Sequence, residues 1–155
     1  MDEKQFLETW EIHNRINLYL LDAVDPTALG SLSASKGRTV GEQFAHIHNV
    51  RLMWLKSAAP DVLAGLLKIE KEQPLDKKLL RTSLTNSGEA IKSLLDQAVR
   101  DGGKVKGFKP HVFAFLGYLI SHESHHRGQI ILSLKQAGNV LDKKILYGIW
   151  EWGVR

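Results

Sequence analysis

The chain has 155 residues, no cysteine, and a net charge of +4 from 21 basic and 17 acidic side chains. Without cysteine there is no disulfide framework, no thiolate metal site and no cysteine nucleophile, so a transition metal here must be held by His, Asp or Glu. No apolar run reaches the roughly 18 residues of a membrane span. The basic residues are scattered ("KKLLR", "GGKVKGFK", "DKK") rather than interleaved with aromatics, which argues against a nucleic-acid partner. A chain of this length, 43% hydrophobic and 25% charged, is expected to form one domain, 1–155, with a real core. The opening "MDEKQFLETW" is acidic and amphipathic, unlike a secretory leader. With the missing cysteines, that agrees with a cytoplasmic protein.

In chain order, residues 2–24 read as a first long helix: Phe6, Trp10, His13, Asn17, Leu20, Leu21 and Val24 follow the three/four spacing of a buried stripe. A turn-rich connector, "LGSLSASKGR", leads to Thr39-Val-Gly-Glu42, which has the form of a capping box. Helix two is predicted over about 40–58. Residues 61–69, "DVLAGLLKI", read as a short helix within a longer crossing. Helix three is expected from Pro74 to "DGG", about 75–100, and helix four over about 111–137, with Gly138 as its C-cap. The tail holds two of the four tryptophans and reads as a short helix packed on the bundle end. No β-rich run is present, so the predicted fold is all-α, a four-helix bundle. Its link between helices two and three is long, which permits those two helices to run parallel.

The stretch "SHESHHRGQI", 121–130, places His122, His125 and His126 within five positions. On a helix, His122 and His126 share one face, with Cβ atoms about 6 Å apart. The letters H-E-x-x-H match the zinc-peptidase pattern, but no histidine follows His126, and the nearest later acid at a suitable distance is Glu151. Glu123-x-x-His126 is also half of a di-iron bundle motif, which needs a second copy and two further glutamates. The second copy is absent. The third reading is a chelating pair completed by a histidine from another helix. Helix two offers His46 and His48 in "AHIHN", 200° apart on the helical wheel, and periodicity does not choose between them.

"TVGEQFAHIHNV", followed some seventy residues later by "SHESHHRGQI", resembles the DinB/YfiT-like family of bundle metalloproteins, as does "NRINLYLLDAV" in the first helix. The similarity runs over nearly the whole chain. It implies a four-helix bundle with a long crossover between helices two and three, and metal ligands at His46, His122 and His126. It also implies kinship with transferases and isomerases that use low-molecular-weight thiols, and with proteins that pair as homodimers. Three neutral imidazoles would leave a divalent ion open coordination positions, as in a catalytic site. Zn²⁺ suits such ligands and is the first expectation, while Ni²⁺ and Fe²⁺ also accept imidazole and residue types alone do not choose among the three. The expected activity is a metal-dependent transfer from a small thiol to a small-molecule substrate. A metal-dependent hydrolase and a non-enzymatic stress-associated metal- or ligand-binding protein are the alternatives. Glu42 and Glu123 are candidates to orient the imidazoles, and Glu123 is the candidate general base. His13 and His111 read as structural, His125 as pointing sideways, Arg127 as structural or catalytic, and Gly128 as a point of close helix approach. Metal affinity is expected to fall below about pH 6, near the ordinary histidine pKa of about 6.5.

Overall fold

The computed structural model describes residues 2–155. Four long helices, α1 (Glu3–Ala23), α2 (Val40–Ala58), α3 (Lys77–Arg100) and α4 (Val112–Gln136), are followed by a short α5 (Lys143–Gly148). No named strand occurs among the described residues. No helix is long and apolar enough to cross a membrane.

Local chemistry sets the helix ends. The Thr39 amide donates to Glu42 Oε2 at 2.7 Å and the Glu42 amide to Thr39 Oγ1 at 3.2 Å, so the capping box opens α2 as the sequence suggests. Asp76, not Pro74, caps α3, by accepting from the Leu79 amide. His111 caps α4 by accepting from the Ala114 amide, which gives that lone histidine a structural role. Past the end of α4, Gly138 has φ +82, a left-handed conformation that glycine adopts without Cβ strain.

Two apolar clusters fix the direction of each helix. One gathers Phe6 and Trp10, Leu55 and Ala59, Ile91 to Ala98, and Val112 to Leu119. The other gathers Leu20 and Leu21, Val40 to Ile47, Leu80 and Leu84, and Ile130 and Leu134. The N-terminal halves of α1 and α4 therefore lie at one end of the bundle, and those of α2 and α3 at the other. Thus α2 and α3 run parallel, and α1 and α4 run parallel to each other in the opposite sense. A parallel α2–α3 pair requires the 59–76 connection to travel the length of the bundle.

That crossover contains turns rather than the short helix expected over 61–69. Gly65 takes φ +82, which no right-handed helix accommodates. The segment is held to α2 by side chains. Asn49 Nδ2 donates to the Ile69 carbonyl at 2.8 Å, and the Ile69 amide donates to Asn49 Oδ1 at 3.0 Å. The ring nitrogens of His48 lie 2.9 Å from the Leu67 carbonyl and 3.0 Å from that of Ser83, tying the crossover to α2 and α3. Asn49→Ala is expected to leave both Ile69 backbone groups unpaired, at a cost of about 1–3 kcal/mol. Limited proteolysis should then cut within 60–76 faster than in the parent chain; an unchanged cleavage rate would show that the apolar seat of Ile69 alone holds the strap.

Candidate metal centre

One residue on α2 and two on α4 converge. His122 and His126 occupy successive turns of α4, and the His46 ring from α2 lies 5.5 Å and 4.5 Å from theirs, centroid to centroid. One ring nitrogen from each of the three lies within 4.8 Å of the others. His122 Nε2 and His126 Nε2 are 3.2 Å apart. Two nitrogens on a tetrahedral ion at about 2.1 Å are about 3.4 Å apart, so this pair is already at bidentate spacing.

The protonation states suit ligation. Burial, reinforced by its histidine neighbours, pushes His126 down to about 3. Burial and the nearby charge of Arg38 push His46 down to about 4. Burial also lowers His122, against the opposing pull of Glu123. All three imidazoles are therefore neutral at pH 7, with lone pairs free. His126 is oriented as well: its Nδ1 lies 2.7 Å from Gln43 Oε1, an oxygen that can only accept. Nδ1 therefore carries the proton, and Nε2 keeps its lone pair toward His122 and His46. His122 Nδ1 is buried without a hydrogen-bond partner among the described residues. The donor set, its spacing and its charge state fit a divalent ion, and the three histidines could hold one.

Gln43 was not among the residues singled out from the sequence; Glu42 was. The Glu42 carboxylate is engaged with the Thr39 amide, while Gln43, one position on, reaches His126. Groups that orient a ligand imidazole typically contribute 10- to 100-fold to metal affinity. If the three histidines hold a divalent ion, Gln43→Ala is expected to weaken its binding by that factor while leaving the fold intact, as measured by competition with a chromophoric chelator. An unchanged affinity would mean that packing alone fixes the His126 ring.

Glu123 points away from the cluster into the bundle core, where it is 1% exposed. It accepts four hydrogen bonds. Arg51 grips it with Nε on Oε1 and Nη2 on Oε2, both at 2.7 Å; His13 Nε2 donates to Oε2 at 2.8 Å and Asn17 Nδ2 at 2.6 Å. Burial alone would raise its pKa, but the Arg51 charge and hydrogen bonds, aided by His13, outweigh that and hold the carboxyl well below its usual range. Arg51 itself is fully buried, donates through Nη1 to the Leu84 carbonyl, and lies 4.9 Å from the Trp10 ring centroid. Arg127 donates to Asn17 Oδ1 at 2.6 Å and to Ser124 Oγ, which is a structural role. His13, fully buried and kept neutral chiefly by burial, belongs to this network too.

The remaining histidines sort by geometry. His48, the alternative to His46, faces two backbone carbonyls. His125 is exposed beside His126. Gly128 has open space where a Cβ would stand, so it is not a point of close approach. Gly88 on α3 is: a Cβ there would collide with the Asn14 amide group, and the Gly88 carbonyl accepts from Trp10 Nε1 at 2.8 Å.

No protein of curated function matches the chain in sequence. Among solved structures, it is similar to a DinB-like protein from Bacillus cereus ATCC 10987, with a TM-score of 0.67 and 22% identity over 90% of this chain and 95% of that one. That likeness speaks to the fold. In sequence, residues 1–143 match the DinB family, a span that takes in α1 to α4 and all three converging histidines. The chain belongs to the DinB family.

Proposed function

We propose that this chain is a cytoplasmic metal-dependent enzyme that binds one divalent ion, Zn²⁺ in preference to Ni²⁺ or Fe²⁺, on His46, His122 and His126. We further propose that it joins the sulfur of a low-molecular-weight thiol to a small electrophilic substrate: the thiol loses its proton to solvent, an S–C bond forms, and the substrate's leaving group departs with the electrons of the bond it breaks. The observation that carries the reading is the convergence of three neutral imidazoles with no fourth metal-binding side chain in their group among the described residues. Three ligands leave room for an exogenous donor. When bound, the ion would act as a Lewis acid that lowers the pKa of a thiol or of water.

The carboxylates favour the thiol over water. Hydrolysis at such a site usually draws on a nearby carboxylate as general base. Glu123 is saturated with donors in the core, and Glu42 is committed to its helix cap. A thiol with a lowered pKa needs no such base, and the chain, having no cysteine, takes its thiol from solution. Elemental analysis tests the metal: one ion per chain is expected, and none in the His46→Ala/His122→Ala/His126→Ala variant. Metal content unchanged in that variant would sink the assignment. Metal-dependent conjugation of small thiols to chlorodinitrobenzene tests the reaction. Turnover of esters or amides instead would hand the site to the hydrolase reading, and no turnover at all to a binding protein.

Homodimer formation is also proposed. Trp150 is 76% exposed and Tyr147 71%, an apolar pair beside the chain's end that a partner subunit would cover. Light scattering should give twice the chain mass at micromolar concentration, and Trp150→Ser should shift it toward monomer. A monomeric parent chain would refute this.

A further inference from the structure

A second cleft, of about 1090 Å³, opens at the end of the bundle where α2 and α3 finish. No histidine lines it, and Ala58 in its wall stands about 18 Å along α2 from His46 at a rise of about 1.5 Å per residue. The connection from α3 to α4 shapes it. Gly102 and Gly103 take φ +85 and +77 and turn the chain out of α3. The Gly103 amide donates to the Ala98 carbonyl at 2.7 Å, and the Val112 amide to the Gly103 carbonyl at 2.8 Å, so both feet of the loop are fixed. Between them Val105 and Phe108 close a tight turn. The Phe108 ring packs on Trp54, Phe115 and Tyr118, with centroids 5.8, 5.1 and 5.5 Å away. A loop held at both feet and at its tip gives a preformed cleft, at about the upper limit of the small-molecule range.

The lining divides by chemistry. Its floor is apolar: Leu94 and Ala98 from α3, Ala58 from α2, Val105 and Phe108 from the loop. Its rim is cationic: Lys104, Lys106 and Lys109 are all exposed, and Asp101 is the one carboxylate of the lining. None of these four side chains forms an ion pair among the described residues. With Asp101 ionised, the lining keeps an excess of two positive charges. Asp96 and Glu3 lie outside it and share Arg100. Val105 is 4% exposed between its two exposed lysine neighbours, so floor and rim alternate along the loop.

An apolar floor favours an apolar body, and an ammonium rim favours an anion. Lysine serves both, because its stem can lie along a hydrocarbon while its head meets the charge. A polyanion would leave the floor uncovered, and a neutral hydrocarbon would leave the rim unpaired. We propose that this cleft binds an amphipathic carboxylate: an acyl chain against Leu94, Ala98 and Phe108, with its carboxylate among Lys104, Lys106 and Lys109. The site is independent of the histidines and of the ion proposed for them.

The test titrates octanoate into the isotope-labelled full chain and reads affinity from amide NMR shifts. The shifts should cluster at residues 94–98 and 104–108 and leave 46, 122 and 126 unmoved. Affinity should rise from butanoate through hexanoate to octanoate, by up to about fourfold per methylene, the limit for full burial. Octanol and octylammonium, equal in chain length, should each bind at least tenfold more weakly than octanoate. The gap between octanoate and octanol should narrow in about 0.5 M salt, because exposed charges are screened. The Lys104→Gln/Lys106→Gln/Lys109→Gln variant should bring octanoate down to the affinity of octanol, and Ala58→Phe, which fills the cleft, should weaken both ligands. The lysine variant alters exposed side chains only, so it decides the matter if Ala58→Phe fails to fold. Octanoate binding no tighter than octanol, affinity indifferent to chain length, or shifts centred on the three histidines overturns the proposal.

Discussion

Glu123→Ala should cost about 3–5 kcal/mol of folding stability, the range for breaking a buried ion pair on one side. Truncation strands the Arg51 guanidinium, which has no exposure, and leaves His13 and Asn17 with unpaired donors. Against a typical stability of about 5–15 kcal/mol, that is a large fraction. For a chain of this length it corresponds to a melting temperature lower by roughly 10–15 °C. Urea denaturation of the metal-free protein measures it without interference from the centre. Pairing Glu123→Leu with Arg51→Met should recover part of the loss, because two apolar residues strand no charge. Parent-like stability for Glu123→Ala, with turnover alone abolished, would instead restore Glu123 as a general base.

Acid should release an ion held by the three histidines late and steeply. The sequence alone places the loss below about pH 6, but burial and mutual proximity lower His46 to about 4 and His126 to about 3. Protons on His46 and His126 therefore compete little between pH 7.5 and about 5, and His122, lowered from the ordinary value chiefly by burial, is the remaining ring open to competition. Below about 4, affinity should drop about tenfold per pH unit for every imidazole that must shed a proton. Cobalt absorption against a chelator, corrected for the chelator's own protonation, reads this directly; a midpoint at pH 6 or above would show that the rings are hydrated as in a free peptide. Folding stability of the metal-free chain responds earlier. Unfolded histidines take up protons from about pH 6.5 downward while the folded ones stay neutral, so the unfolded state binds more protons. The stability that these depressed groups contribute is present above pH 6.5 and is lost as pH falls toward 4 and 3.

The helices were legible because their signals are local. The Thr39–Glu42 box, the prolines, Gly138 and the three/four stripes all act within one or two turns, and the long 59–76 link already permitted the parallel α2–α3 pair. The 61–69 helix failed because its apolar spacing is also satisfied by a turn-rich strap that seats Ile69 and bends at Gly65. The i, i+4 pair at His122 and His126 was local too, whereas the choice of His46 over His48 came only with the family resemblance. In the fold the difference is that His48 meets the crossover, a partner that helical periodicity cannot represent. Arg51 went unnoticed for a related reason. A charge in the stripe of Phe44, His48 and Leu55 reads as a surface residue until a carboxylate 72 positions away is known to face it. Gln43 and Glu42 differ by one position and 100° of rotation, which is finer than single-sequence reading resolves.

The Glu123 hub draws on every long helix: His13 and Asn17 from α1, Arg51 from α2, the Leu84 carbonyl from α3, and Glu123 with Arg127 from α4. It stands immediately beside His122 in sequence but points the other way. The two jobs of this stretch of α4 are thereby separable under selection. Drift can erase or exchange the histidines at little risk to the scaffold, while the neighbouring carboxylate is held by four hydrogen bonds from three partners. A chain built on this bundle can change what its histidine face binds, or bind nothing there, without first relearning how to fold.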